Sequence, residues 1–150
     1  MIEWIWLDMD GSLNFFYQVD GWLNDLQNFN PRPYVEAQPK YSPDILNPIL
    51  HKLKQSGYKI GIISWLSKES NDNYDEEVIK AKKNWLIKYH LIEVLDEIII
   101  TPYGVRKSDT CAKFGPGILV DDEERNRKDW YLGYTINAEK NIIKDLMALI

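Results

Sequence analysis

Two aspartates one residue apart, Asp8 and Asp10, close the apolar run Trp4-Ile5-Trp6-Leu7 and are followed by Gly11, Ser12 and Leu13. Residues i and i+2 of an extended chain project the same way, and the strand should end near Asp8. Two carboxylates at the mouth of a buried strand repel each other and lose solvation. A divalent cation or a protonated partner removes that penalty. Gly11 lets the backbone turn away without a Cβ clash, and Ser12 places a hydroxyl beside the acids. Three further groups able to do chemistry lie downstream. Ser64 ends the apolar run Ile60-Gly61-Ile62-Ile63, Lys107 sits in a polar connection, and Asp121-Asp122 end Gly117-Ile118-Leu119-Val120. Taken singly each has a plainer reading. Ser64 would be a satisfied strand-end hydroxyl, Lys107 a solvated loop lysine beside Arg106 and near Lys113, and Asp121-Asp122 caps of a following helix.

Their order is more specific than any one of them. Asp-x-Asp-Gly-Ser-Leu after an apolar strand, then a strand-end serine, a lysine and a strand-end acidic pair, resembles the haloacid dehalogenase-like superfamily. Most of that family are magnesium-dependent phosphohydrolases, and the resemblance covers nearly the whole chain outside residues 14–41. It implies that Asp8 attacks phosphorus to give an aspartyl-phosphate. Asp10 would protonate the leaving oxygen and then activate water. Ser64 would hydrogen-bond the transferring phosphoryl group, and Lys107 would neutralise its charge and restrain Asp8. Mg²⁺ takes oxygen ligands; the resemblance places it on Asp8, Asp122 and the Asp10 backbone carbonyl, with Asp121 orienting Lys107. Which of the two final acids binds the metal stays open at this point. Ser12 stands where the family often has threonine. Small cytosolic nucleotidases and the phosphatase domains of nucleic-acid repair enzymes share these motifs, so the substrate is expected to be a nucleotide or another small phosphorylated metabolite. A nucleic-acid 3′-phosphate end is the alternative substrate.

Two other classes compete. Phosphoacceptor receiver domains also join acids, a hydroxyl and a lysine on a parallel sheet, but their phosphoacceptor follows strand three and their lysine comes last. Here strand three ends in Thr101-Pro102 and Lys107 precedes the final acids. A binding or regulatory protein with the family fold and little turnover is the other; the acids and lysine argue for turnover.

Strands expected at 4–8, 58–65, 98–101, 117–122 and 134–136 must position these groups. Helices are expected between them: one from the Ser42 cap to Gly57, one opened by Asp75-Glu76-Glu77, a short polar one over 123–130 and a last one over 139–149. Pro48 should kink the first of these or mark a second start. The inward face of the 75–89 helix carries Val78, Ile79, Trp85, Leu86 and Tyr89. Ile45 is expected inward on the first helix, and Ile142, Ile143, Leu146 and Met147 inward on the last. Residues 66–74 read as polar and mobile. Alternation of strands and helices gives an α/β, Rossmann-like three-layer α/β/α fold with a parallel sheet. All strand C-termini then share one edge, where such sheets bind ligands.

One domain spans 1–150, with a small cap-like insertion at about 14–41 that is too aromatic for a linker and too broken by Asn30-Pro31-Arg32-Pro33 for one long helix. A short helix is expected over 20–28. The insertion starts beside the catalytic loop, so Phe15, Tyr17 and Trp22, with Ser12, are the candidate substrate contacts, and Phe16 is a neighbouring ring. Glu123 to Lys128 reads as a salt-bridged, solvated face, and His51 and His90 lack neighbours at metal-ligand spacing. The net charge of −5 disfavours a broad nucleic-acid footprint. No stretch approaches the roughly 20 apolar residues of a membrane span, and no secretory leader is evident. The single Cys111 suits a reducing cytoplasm. Oligomeric state is not legible.

Overall fold

The computed structural model describes residues 3–150. Its centre is a five-stranded parallel sheet: β1 (Trp4–Leu7), β2 (Lys59–Trp65), β3 (Glu97–Thr101), β4 (Gly117–Asp121) and β5 (Thr135–Asn137), in the order β3-β2-β1-β4-β5. Among the described residues seven α-helices connect and cover it: α1 (Trp22–Gln27), α2 (Arg32–Glu36), α3 (Pro43–Gln55), α4 (Asp72–Lys88), α5 (Lys107–Cys111), α6 (Glu124–Asp129) and α7 (Ile143–Met147), with short 3-10 turns at Phe16–Gln18 and Ala112–Phe114. The fold is α/β with helices on both faces of the sheet. β1 is central, so its end lies between the ends of β2 and β4, and Asp8, Ser64 and Asp121 meet on one edge.

Alternation along β1 divides the core. Ile5 and Leu7 join Ile60, Ile62, Ile118 and Val120 against α3, α7 and the C-terminal half of α4. Trp4 and Trp6 point to the other face, stacked at 4.7 Å with Phe114 tilted against them. The Trp6 indole spreads over Gly61 of β2, where any Cβ would overlap the ring. A glycine in a central strand weakens it, and this one makes room for the Trp6 indole.

The insertion is fastened at its base by a bridge between Asn14 and Pro39 and by bonds from Phe15 N–H to Gln38 C=O (2.8 Å) and from Lys40 N–H to Leu13 C=O (2.9 Å). Its rings and apolar chains, Phe16, Leu26, Tyr34 and Ala37, form a second core with Leu66 and with Tyr74, Val78 and Ala81 of α4. The expected break at Asn30-Pro31-Arg32-Pro33 is present: the insertion holds no single long helix but α1 and, beyond the break, the short α2. Its prolines fall at the cap and in the first turn, where a missing N–H costs little.

Other boundaries differ for identifiable reasons. β1 stops at Leu7 and leaves Asp8 just beyond it. α4 starts at Asp72 rather than Asp75, because Asn71 caps it by accepting the Tyr74 N–H at 2.8 Å. Residues 72–74 are therefore helical, and Leu66 and Ser67 are buried rather than part of a mobile segment. Pro48 lies within one continuous α3. Ile45 and Met147 face solvent, while Leu46, Leu50 and Leu53 of α3, and Ile142 and Leu146 at α7, turn inward. α7 is shorter than the expected 139–149.

Candidate active site

Asp8 is held from two sides. The Lys107 ammonium donates to Asp8 Oδ1 at 2.9 Å and to Asp121 Oδ2 at 2.7 Å, and all three side chains are buried. Asp121 also accepts from the Glu123 N–H (2.9 Å) and the Asn126 amide (3.1 Å), so its oxygens are engaged within the protein. The other Asp8 oxygen lies 2.7 Å from the Ser12 hydroxyl, which is 3.0 Å from Asp122 Oδ1 and accepts the Asp122 N–H at 3.0 Å. Ser12 is fully buried in this arrangement. It ties the two acidic loops together and, although expected as a substrate contact, is not among the residues that line the adjoining cavity.

Gly11 completes the turn at φ +82°, and a Cβ there would run into the Asp122 carboxylate and the Tyr17 ring. Asn14 Oδ1 accepts the N–H groups of Gly11 and Phe16 at 3.1 Å each, and the Lys40 ammonium reaches the Gly11 carbonyl. These three residues hold the loop that presents Asp8 and Asp10.

Carboxylate oxygens of Asp8, Asp121 and Asp122 lie within 4.8 Å of one another. Burial, with repulsion from Asp8, pushes the Asp122 carboxyl up to about 8, the Ser12 hydroxyl being its modest counterweight. Asp121 is raised by the same causes but opposed by Lys107. Burial alone would lower the Lys107 pKa; Asp8 and Asp121 more than offset it, so the ammonium is held charged. Asp8 and Asp122 are thus hard-oxygen donors in close approach, short of positive charge once Lys107 is committed to Asp8 and Asp121. That donor set suits Mg²⁺.

Asp10 is positioned separately. Its Oδ2 lies 2.9 Å from the ammonium of Lys82, which also donates to Ser64 Oγ at 2.6 Å and to the Trp65 carbonyl at 2.7 Å. Burial, reinforced by Asp8, raises the Asp10 carboxyl above the usual range, with Lys82 opposing. Asp10 therefore keeps its proton to higher pH than an ordinary carboxylate.

Asp8, Asp10 and Lys107 open into a cavity of about 300 Å³ between the insertion and the loop after β2. Its walls are Phe16, Tyr17, Trp22 and Tyr34 on the insertion side, and Trp65 and Tyr103 opposite. Among the described residues, the lining cations are Lys68 and Lys107. The Arg125 guanidinium stacks 4.8 Å from the Trp65 ring and stiffens that wall.

Asp8, Asp10, Ser64, Lys107, Asp121 and Asp122 therefore gather in one place, and Tyr17 and Trp22 line the adjoining cavity. Phe15 does not. It borders a separate depression with Gln18 and Arg32, and the buried Phe16 lines the cavity instead. Sequence reasoning missed Lys82, Tyr34, Trp65 and Tyr103. Lys82 had a signal: it falls four residues after Val78 and three before Trp85, on the apolar face of α4, where an unpaired ammonium would be costly.

No protein-family model matches the sequence, and no curated protein matches it. Solved structures do resemble the fold. D,D-heptose 1,7-bisphosphate phosphatase from B. bronchiseptica, solved with magnesium and phosphate, superposes with TM-score 0.53 at 13% identity, over 97% of this chain and 86% of its own. The enzyme of the same name from Burkholderia thailandensis gives TM-score 0.57 at 11% identity, over 97% and 99%. The chain thus shares the α/β fold of these two structures.

Proposed function

We propose that this chain is a Mg²⁺-dependent phosphomonoester hydrolase that works through an aspartyl-phosphate on Asp8. The observation carrying this reading is the placement of Asp8 between Lys107 and the Ser12-Asp122 pair, with Asp10 beside it, at the base of an aromatic cavity. An Asp8 oxygen attacks phosphorus while the bond to the leaving oxygen breaks, and that oxygen takes the proton of Asp10. Asp10, now a carboxylate, takes a proton from water. The water oxygen attacks phosphorus, the Asp8–phosphorus bond breaks, and inorganic phosphate leaves. Lys107 holds Asp8 in line and offsets phosphoryl charge, and Ser64 donates to a phosphoryl oxygen. Asp8 and Asp122 would hold Mg²⁺, with the Asp10 carbonyl completing the protein's share; the ion supplies neutralisation of phosphoryl charge. Asp121 orients Lys107.

A nucleotide-sized monoester is the substrate class that the cavity favours. Its rings offer stacking faces, and stacking on a base contributes about 1–3 kcal/mol in nucleic-acid binders. The second phosphate of a sugar bisphosphate, the substrate in the names of the structural neighbours, calls for cations beyond Lys68 and Lys107. We infer a cytoplasmic setting, with which the lone, buried Cys111 agrees; among the described residues no helix is long and apolar enough to cross a membrane. The test is a panel of nucleoside monophosphates, sugar phosphates and a 3′-phosphorylated oligonucleotide, each with Mg²⁺ or EDTA. Mg²⁺-dependent phosphate release, best with nucleotides, is expected. No release from any monoester would contradict the reading.

A further inference from the structure

Lys82 is the one buried cation, among the described residues, that the catalytic assignments above leave without a role. It sits on α4 among Val78, Ala81, Trp85 and Leu86, and is 1% exposed. An ammonium has three N–H donors, and here three acceptors lie within bonding distance: Ser64 Oγ, the Trp65 carbonyl and Asp10 Oδ2. The Tyr34 ring of the insertion covers it at 5.1 Å. With every donor engaged, Lys82 has none left for a substrate.

We propose that Lys82 is a positioning residue that sets the orientation of both Asp10 and Ser64 for phosphoryl transfer. The inference rests on the phosphomonoesterase reading and assigns a part the reading does not contain. Two consequences follow from the bonding. Asp10 Oδ2 is taken by Lys82, so Oδ1 is the oxygen left for the leaving group in the cavity that Asp10 lines. Ser64 Oγ accepts from Lys82, so its own proton must point elsewhere, which leaves Ser64 free to serve in the donor role proposed above. The bond to the Trp65 carbonyl anchors the ammonium to β2, so the two side chains are referenced to the sheet rather than only to each other. Removing Lys82 frees Asp10 to rotate and Ser64 to turn, while Asp8, Lys107 and Asp122 keep their contacts.

Proton donation matters most when the leaving oxygen is a poor leaving group. The experiment compares kcat/KM for an alkyl phosphomonoester and for p-nitrophenyl phosphate in the wild type, Lys82→Met, Asp10→Asn and the double variant, with near-UV circular dichroism as the check on folding. Lys82→Met is expected to lose on the order of 100-fold on the alkyl ester and less than about tenfold on the aryl ester. In the Asp10→Asn background it should add little further alkyl-selective loss, since residues acting as one unit are non-additive. Lys82→Gln, which keeps two N–H donors, is read in parallel in case the methionine variant does not fold, and should fall between. Equal losses on both esters, full additivity with Asp10→Asn, or unchanged kinetics would overturn the positioning role while leaving the phosphatase reading intact. A wild type inert on both esters would overturn that reading and this inference with it.

Discussion

Lys107 and Ser12 divide the labour around Asp8 at the scale of single residues. Lys107 is bound to Asp8 and Asp121, whereas Asp122 meets the cluster through Ser12. Asp122→Ala is therefore expected to raise the Mg²⁺ concentration for half-maximal activity by tenfold or more, on the order of losing one charged ligand. Asp121→Ala should lower kcat with a smaller change in the Mg²⁺ requirement. A Mg²⁺ titration of both variants checks this, and the reverse ranking would mean that Asp121 is the metal ligand. The same cluster makes the metal-free protein sensitive to pH. Asp122 has its carboxyl raised from 3.8 to about 8 in the folded state. Between those values the folded protein binds the extra proton, so stability falls as pH rises through the window. Burial pushes Asp10 and Asp121 the same way. Without Mg²⁺ the melting temperature should be lower at pH about 8 than at about 6, and Mg²⁺ should raise it more at the higher pH. A melting temperature that climbs with pH in EDTA would count against this.

Among the elements, the contact between β1 and β2 and the insertion carry the remaining predictions. Gly61→Ala puts a methyl group into the Trp6 indole, and overpacking of that kind costs about 1–3 kcal/mol; chemical denaturation should show it as a lower midpoint with unchanged slope. Tyr17→Ala and Trp22→Ala each remove a ring from the cavity wall. Each should raise KM for nucleotides by roughly ten- to a hundredfold, the size of one lost stacking contact, and leave KM for small non-aromatic monoesters nearly unchanged. Phe15→Ala should not, because Phe15 borders a different depression. These contrasts mark what the sequence could and could not tell. The strands were legible because apolar runs ending in acids or a hydroxyl are local signals, and their parallel order followed from alternation with helices. Within the insertion the short helix Trp22–Gln27 was legible as well, but the placement of the rings was not. The insertion's fold depends on which rings meet α4, a long-range packing matter, and adjacent Phe15 and Phe16 cannot be assigned to opposite sides without it. Lys82 was overlooked although it is a charge inside an apolar stripe, because its partners, Asp10 on the loop after β1 and Ser64 and Trp65 at the end of β2, are far away in sequence.

Taken whole, the molecule is a parallel sheet whose central strand delivers Asp8 to the edge between Ser64 and Asp121, under a small aromatic insertion that leaves a cavity of about 300 Å³. The largest of its buried apolar clusters packs α3, α4 and α7 on β1, β2 and β4. The central claim is that phosphate passes through Asp8, and acid-quenched mass spectrometry of the peptide containing residue 8 tests it most directly. Wild-type protein mixed with Mg²⁺ and a nucleoside monophosphate should carry the added mass of one phosphoryl group on Asp8, lost on treatment with hydroxylamine. Asp8→Asn should be folded, carry no such mass and release no phosphate. Phosphate release by the Asp8→Asn protein at the wild-type rate would contradict the account.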